Sequence, residues 1–122
     1  MNSDELKERT LNFGIRVMKM AEKLPASQAG TIVSNQIIRS AFSIGANYRA
    51  ACRAKSSRDF VNKLKIVLEE ADETSYWMQI IVRSDLINFD KMKDIMKESD
   101  ELTAIFAAAL ITSQKKLEKS KI

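Results

Sequence analysis

The chain has 122 residues, with three glycines, one proline, one cysteine and no histidine. This length supports one compact domain, 1–122, and so few Gly and Pro residues exclude the many turns of a β-sandwich or barrel. Without histidine, and with only one cysteine, the sequence predicts no catalytic site, no cofactor and no metal site. We therefore expect an all-α protein that is not an enzyme.

Stop signals and an apolar period of about 3.6 residues predict four helices, over about 3–24, 28–54, 57–84 and 89–117. Asn2 with Glu5 forms a capping-box pattern, Pro25 ends the first helix, and Ser56 with Asp59 starts the third. Long helices joined by short loops favour an up-down-up-down antiparallel four-helix bundle. The expected core includes Phe13, Val17, Ile37, Ile44, Leu64, Ala71, Phe106 and Leu110.

The sequence predicts a cytoplasmic protein that makes no membrane contact. Its longest apolar run, 104–111, is far shorter than the roughly 20 residues that cross a bilayer. The N-terminal residues alternate acids and bases and lack the apolar region of a signal peptide. A single unpaired cysteine suits a reducing compartment, so we interpret Cys52 as a small buried side chain.

The net charge of +4 is unevenly distributed along the chain. Residues 23–58 carry several cations and no acid, whereas residues 59–101 carry more acids than bases. Four lysines follow near the C-terminus, namely Lys115, Lys116, Lys119 and Lys121. Two interpretations remain open: basic and acidic helices that pair with each other, or a basic surface that binds a polyanion.

Three of the predicted helices carry a second, outer apolar stripe that a monomeric bundle does not need. Large exposed apolar patches usually mark interaction sites. The predicted oligomer interface therefore includes Leu11, Ile15, Met18, Ile38, Phe42, Ile66, Tyr76, Trp77 and Ile80. The alternative is that Tyr76 and Trp77 singly cover the edge of the bundle.

Polar side chains on helices 2 and 3 add two further expectations. Ser43 and Asn47, one turn apart, are placed to hydrogen-bond to a neighbouring helix and fix its register, or to face solvent at a helix edge. Glu69 and Glu73 share the outer face of helix 3. We expect them at the oligomer interface, facing Arg49 or Arg53 of the next subunit.

Three segments resemble a known family: QIIRSAFSIGAN at 36–47, RAKSSRDF at 53–60 and KLKIVLEEADE at 63–73. They resemble the four-helix-bundle proteins encoded in intervening sequences of bacterial 23S ribosomal RNA genes. The commonest form of that family has Asn-Ile-Ala-Glu-Gly where this chain has Asn-Tyr-Arg-Ala-Ala at 47–51. A branch of the family has Asn-Tyr-Arg-Ala-Ala-Cys-Arg-Ala, which is matched here at 47–54.

This resemblance implies a four-helix bundle that assembles into a ring, commonly a homopentamer, with no established enzymatic activity. A related group acts as the accessory protein of diversity-generating retroelements and binds nucleic acid and a reverse transcriptase through a basic ring surface. The residues that match in type are Arg39, Arg49, Arg53, Lys55 and Arg58. The expected partners are further copies of the chain, RNA or DNA, and a reverse transcriptase or other protein. The alternative is a structural or partner-binding oligomer whose arginines pair with the acids of helix 3.

Overall fold

The computed structural model describes residues 1–120, which form four α-helices and no strand. The helices are α1 (Ser3–Ala21), α2 (Gln28–Cys52), α3 (Ser57–Arg83) and α4 (Phe89–Lys119). Each helix packs against its neighbours in chain order, and α1 also contacts α4, which closes the bundle. The prediction of an all-α four-helix bundle is confirmed.

All four helices begin at the predicted residues because a polar side chain caps each N-terminus. The Asn2 side chain accepts from the backbone N–H of Glu5 at 2.8 Å and donates to the Glu5 carboxylate at 3.0 Å. Ser27 caps α2, Ser56 caps α3 and Asn88 caps α4, each by accepting from a backbone N–H in the first turn of its helix. Hydrogen bonding at the start of each helix thus follows directly from the sequence.

The helix C-termini depart more from the prediction, most of all in α1. This helix ends at Ala21 rather than near 24. The next turns are tighter, because the backbone N–H groups of Lys23 and Leu24 donate to the carbonyls of Met20 and Ala21, three residues back. Residues just before a proline are disfavoured in the α conformation, so the helix unwinds before it reaches Pro25. The turn that follows is so tight that a Cβ on Gly30 would lie 2.0 Å from the Pro25 carbonyl oxygen.

The core follows the predicted stripes, with one exception among the predicted residues. Seven of those eight side chains are buried, whereas Leu110 is only half-buried. Leu110 lies one turn beyond Phe106, which is the last fully buried residue of α4.

Buried hydroxyls form hydrogen bonds between the helices. Ser40 on α2 and Thr74 on α3 are both fully buried, and their hydroxyls are 2.9 Å apart. Ser75 on α3 and Ser99 on α4 form a similar pair at 2.9 Å. The expectation that Ser43 and Asn47 bond to a neighbouring helix is wrong, because both donate to backbone carbonyls of α2 itself. Short polar side chains inside a helix commonly donate to the backbone carbonyl four residues back on the same helix, as both do here.

Candidate oligomer and nucleic-acid interfaces

Two glycines allow α1 and α2 to approach closely and open a groove on their outer side. A Cβ on Gly14 would lie 3.2 Å from the Phe42 ring, and one on Gly45 would lie 3.3 Å from the Thr10 hydroxyl. Sequence reasoning did not assign either glycine a role at this contact. The sequence feature that could have identified them is a glycine inside a predicted helix, where Gly costs about 1 kcal/mol of stability relative to Ala.

The groove between α1 and α2 has a volume of about 340 Å³ and an almost entirely apolar lining. Its walls are Leu11, Ile15 and Phe42, which are 48%, 39% and 47% exposed. Lys7 and Arg49 lie at its rim. The structure thus brings together three of the residues predicted for the oligomer interface.

The remaining apolar residues of the predicted interface divide into two groups. Ile66 and Tyr76 are exposed on α3. Four others are half-buried within the same chain, namely Met18, Ile38, Trp77 and Ile80. Trp77 also stacks edge-on against Tyr76, with ring centroids 5.2 Å apart. The exposed apolar residues thus lie at the α1/α2 groove and on α3, where we call Ile66 and Tyr76, with the acids between them, the α3 stripe.

Arg39 is held by acids of its own chain. Its guanidinium donates to Glu70 at 3.0 Å and to Glu73. The indole N–H of Trp77 donates to Glu73 at 3.1 Å, and this bond, together with Arg39, lowers the pKa of the Glu73 carboxyl. The interpretation that arginines pair with helix 3 acids therefore describes Arg39. Within residues 1–120, the neighbouring acid Glu69 is exposed and forms no ion pair.

The other four predicted nucleic-acid residues lie near the α2–α3 turn in the chain, with Arg49 at the α1/α2 groove and Arg58 beside α4 on the other side of the turn. Arg49, Arg53, Lys55 and Arg58 are exposed, and none takes part in an ion pair within the described part of the chain. The turn itself is well ordered by hydrogen bonds, because Asp59 accepts from the backbone N–H of Lys55 at 3.2 Å. These cations are thus presented to solvent on a defined turn.

The C-terminal end of α4 adds lysine to the same end of the bundle. Lys116 and Ser113 line a hollow of about 510 Å³ together with Ser3, Ser56 and Phe60. Lys115 and Lys119 are exposed nearby on α4, and Lys121 lies outside the described residues.

The interior side of this end is apolar. Tyr48 packs against Phe106 with ring centroids 5.4 Å apart, and burial, together with the adjacent Cys52 thiol, raises the pKa of its phenol. Cys52 is half-buried rather than buried as expected, because it also lines the hollow. Within residues 1–120, no group of His, Cys, Asp and Glu side chains is arranged to hold a metal ion, and no helix is long and apolar enough to span a bilayer.

Comparisons with known proteins place this architecture in a family. Residues 4–108 match the family described as 23S rRNA-intervening sequence protein. The chain is also similar to the crystal structure of a protein of unknown function from the S23 ribosomal protein family of Bacteroides thetaiotaomicron. That structure has a TM-score of 0.79 and 36% sequence identity, over 85% of this chain and 96% of that one. No curated protein matches the sequence. The family match covers most of the chain, which therefore belongs to the 23S rRNA-intervening sequence protein family.

Proposed function

We propose that the chain forms a homo-oligomeric ring, a pentamer by family resemblance, that binds RNA or DNA without strong sequence preference. The cations of the α2–α3 turn supply the phosphate contacts, and Lys116 and its neighbours on α4 assist them. The observation that carries the proposal is that Arg53, Lys55 and Arg58 at this turn are exposed and form no ion pair within the described chain. Arg49 is assigned instead to the contact between subunits. No catalytic role is proposed.

Assembly is supported by two unlike surfaces on one chain. The α1/α2 groove is an apolar hollow, whereas the α3 stripe is the outer face of a helix, on which Ile66 and Tyr76 are exposed. A contact between unlike surfaces is heterologous, and it generates a ring when the rotation between subunits closes. We place the α3 stripe of one subunit in the α1/α2 groove of the next.

Charges at the edges of the two surfaces fit the same arrangement. Arg49 lies at the rim of the groove, and Glu69 is exposed on α3 without an ion pair in the described residues. Glu73 is already bound by Arg39 and Trp77. Of the ion pairs predicted between subunits, we therefore favour the one between Arg49 and Glu69.

A ring strengthens nucleic-acid binding because it repeats the basic turn. One turn offers few phosphate contacts, whereas simultaneous engagement of several subunits raises the overall affinity without new contacts. Each neutralised phosphate also steepens the dependence of affinity on salt, by about 0.9 in log–log slope for duplex DNA and about 0.7 for single strands. Salt dependence is therefore the diagnostic measurement.

The test is charge reversal at the turn, Arg53→Glu with Lys55→Glu. Lys93→Glu with Lys97→Glu is the matched control, because it changes the net charge equally at exposed positions of α4. We expect the turn variant to keep its assembly state and to lose retention of labelled RNA and DNA at ~50 mM salt, while the control retains both.

The second candidate is a structural or protein-binding oligomer without a nucleic-acid role. It is favoured by the pairing of Arg39 with Glu70 and Glu73, which shows that α3 acids neutralise at least one α2 arginine. This candidate predicts that reversal of Arg53 and Lys55 breaks the oligomer. If the wild-type chain shows no salt-sensitive binding to any RNA or DNA at ~50 mM salt, the second candidate is favoured over nucleic-acid binding.

A further inference from the structure

Four cations surround a hollow between α1 and α4, far from the α2–α3 turn. Arg16, Lys19, Lys23 and Lys91 line this hollow, which has a volume of about 310 Å³, and the one acid in its lining is Asp94. All four cations are exposed, and none forms an ion pair within residues 1–120. The hollow is therefore strongly basic.

The cations along the contact between α1 and α4 differ in whether an acid pairs with them. In one half of this contact, Arg9 binds Glu98 through two hydrogen bonds of 2.6 and 2.8 Å and reaches Glu101 at 3.5 Å. Both Glu98 oxygens are thus occupied by Arg9, although Arg16 lies close enough to help lower the pKa of Glu98. In the other half, the cations have no such partner.

The spacing of two of these cations is unfavourable for α1 alone. Arg16 and Lys19 are three residues apart on one face of α1, and Lys23 follows just after the helix ends at Ala21. Like charges three or four residues apart destabilise a helix by a few tenths of a kcal/mol per pair. A bound polyanion would remove this repulsion.

We propose that this hollow is a second binding surface for nucleic-acid phosphates. Four cations around one hollow can contact more than one phosphate of a strand that crosses it. Ile87 and Ile95 form an apolar floor that suits a sugar or base better than a compact inorganic anion. The surface lies on the α4 side of α1, so it stays accessible when the α1/α2 groove is filled.

This inference rests on the proposed function only in taking the same class of ligand. The second surface consists of different side chains and lies at the opposite end of α1 from the α2–α3 turn. A strand that engages both surfaces would run along the bundle rather than across one end. The expected consequence is that loss of either surface weakens binding.

The test uses the full chain and an oligouridine of about 30 nucleotides, with binding followed by fluorescence anisotropy from ~50 to ~200 mM salt. Lys19→Glu with Lys23→Glu removes the surface, and Lys93→Glu with Lys97→Glu is again the matched control. All four positions are exposed, so the fold is expected to survive, which circular dichroism checks.

We expect the Lys19/Lys23 variant to bind at least about fivefold more weakly than the control. Its log–log salt slope should fall by about 1.4 for each subunit in contact, because two phosphate contacts are lost. Affinity equal to that of the control, with binding lost in the Arg53/Lys55 variant, overturns this inference and leaves the proposed function standing. If instead the Lys19/Lys23 variant loses binding and the Arg53/Lys55 variant keeps it, the result supports the inference and overturns the assignment of the α2–α3 turn. If the wild type binds poly-glutamate but neither oligouridine nor DNA, and the Lys19/Lys23 variant loses that binding, the hollow takes an acidic protein segment, and both proposals are wrong.

Discussion

Asp85 shows how a single residue ends α3. The bonds from Leu86 to Ile81 and from Asp85 to Val82 form a Schellman motif, in which the residue after the C-cap adopts positive φ. Asp85 has φ of 59°, a conformation that Gly adopts freely, Asp and Asn tolerate, and β-branched residues avoid.

The first prediction concerns this position. Asp85→Val is expected to be less stable than Asp85→Gly by about 1 to 2 kcal/mol, because only the valine is strained in the left-handed region. Urea unfolding of both variants at one protein concentration measures the difference. Equal stability of the two would show that the turn relaxes to negative φ without cost.

Leu64 is the residue that best tests the core. It is fully buried in α3, and Leu64→Ala is expected to destabilise the chain by about 2 to 5 kcal/mol through lost burial and the remaining cavity. Ile111→Ala, at a position that is 53% exposed, serves as the control and should cost far less. A loss below about 0.5 kcal/mol for Leu64→Ala, measured by urea unfolding, would mean that Leu64 does not lie in the core.

At the scale of the helix, the contact of α1 with α4 depends on charge as well as packing. These two helices touch less extensively than the other neighbouring pairs, and Arg9 with Glu98 forms their best-defined polar contact. The hydrogen bonds from Arg9 lower the pKa of the Glu98 carboxyl. Stability from this pair is complete above the ordinary pKa of about 4.5 and is lost as the pH falls through the lowered value.

Glu98→Gln is therefore expected to be less stable than the wild type by about 1 kcal/mol at pH 7, since the bidentate pair is only partly exposed. The gap should narrow as the pH falls below the ordinary pKa of about 4.5 and close once the pH has passed the lowered pKa, because the wild-type carboxyl is then protonated too. Urea unfolding at about pH 7 and at a series of acidic pH values measures this. Glu101→Gln is the control, since Glu101 is more exposed and lies 3.5 Å from Arg9. A gap that does not change with pH would exclude the charge of Glu98 as its cause.

Helix starts could be predicted from the sequence because each depends on a local side chain, as with Ser56 and Asp59. Helix ends were predicted less well, since Pro25 indicates that α1 must stop but not how many residues before it the chain leaves the α conformation. The partner of Ser40 could not be predicted either. Its bond to Thr74 joins residues that only the packing of α2 against α3 brings together.

The outer surfaces were predicted in composition but not in shape. The apolar period identified Leu11, Ile15 and Phe42, yet the groove exists because Gly14 and Gly45 let the helices approach. The pairing of Arg39 with α3 acids depends on the register between two helices, so charge counts alone left it open. Tertiary contacts decide which cations remain available.

For the whole molecule, the proposed ring leads to a test of assembly. Phe42→Asp places a charge in the α1/α2 groove, where burial against a second copy would cost several kcal/mol without a partner. Ile32→Asp is the matched control, because Ile32 is 50% exposed on α2 and lies outside the groove lining. Multi-angle light scattering at micromolar concentration is expected to give an oligomer for the wild type and the control. It should give the 13.8 kDa monomer for Phe42→Asp. A wild-type monomer would exclude the ring, and an oligomer that survives Phe42→Asp would place its interface elsewhere on the bundle.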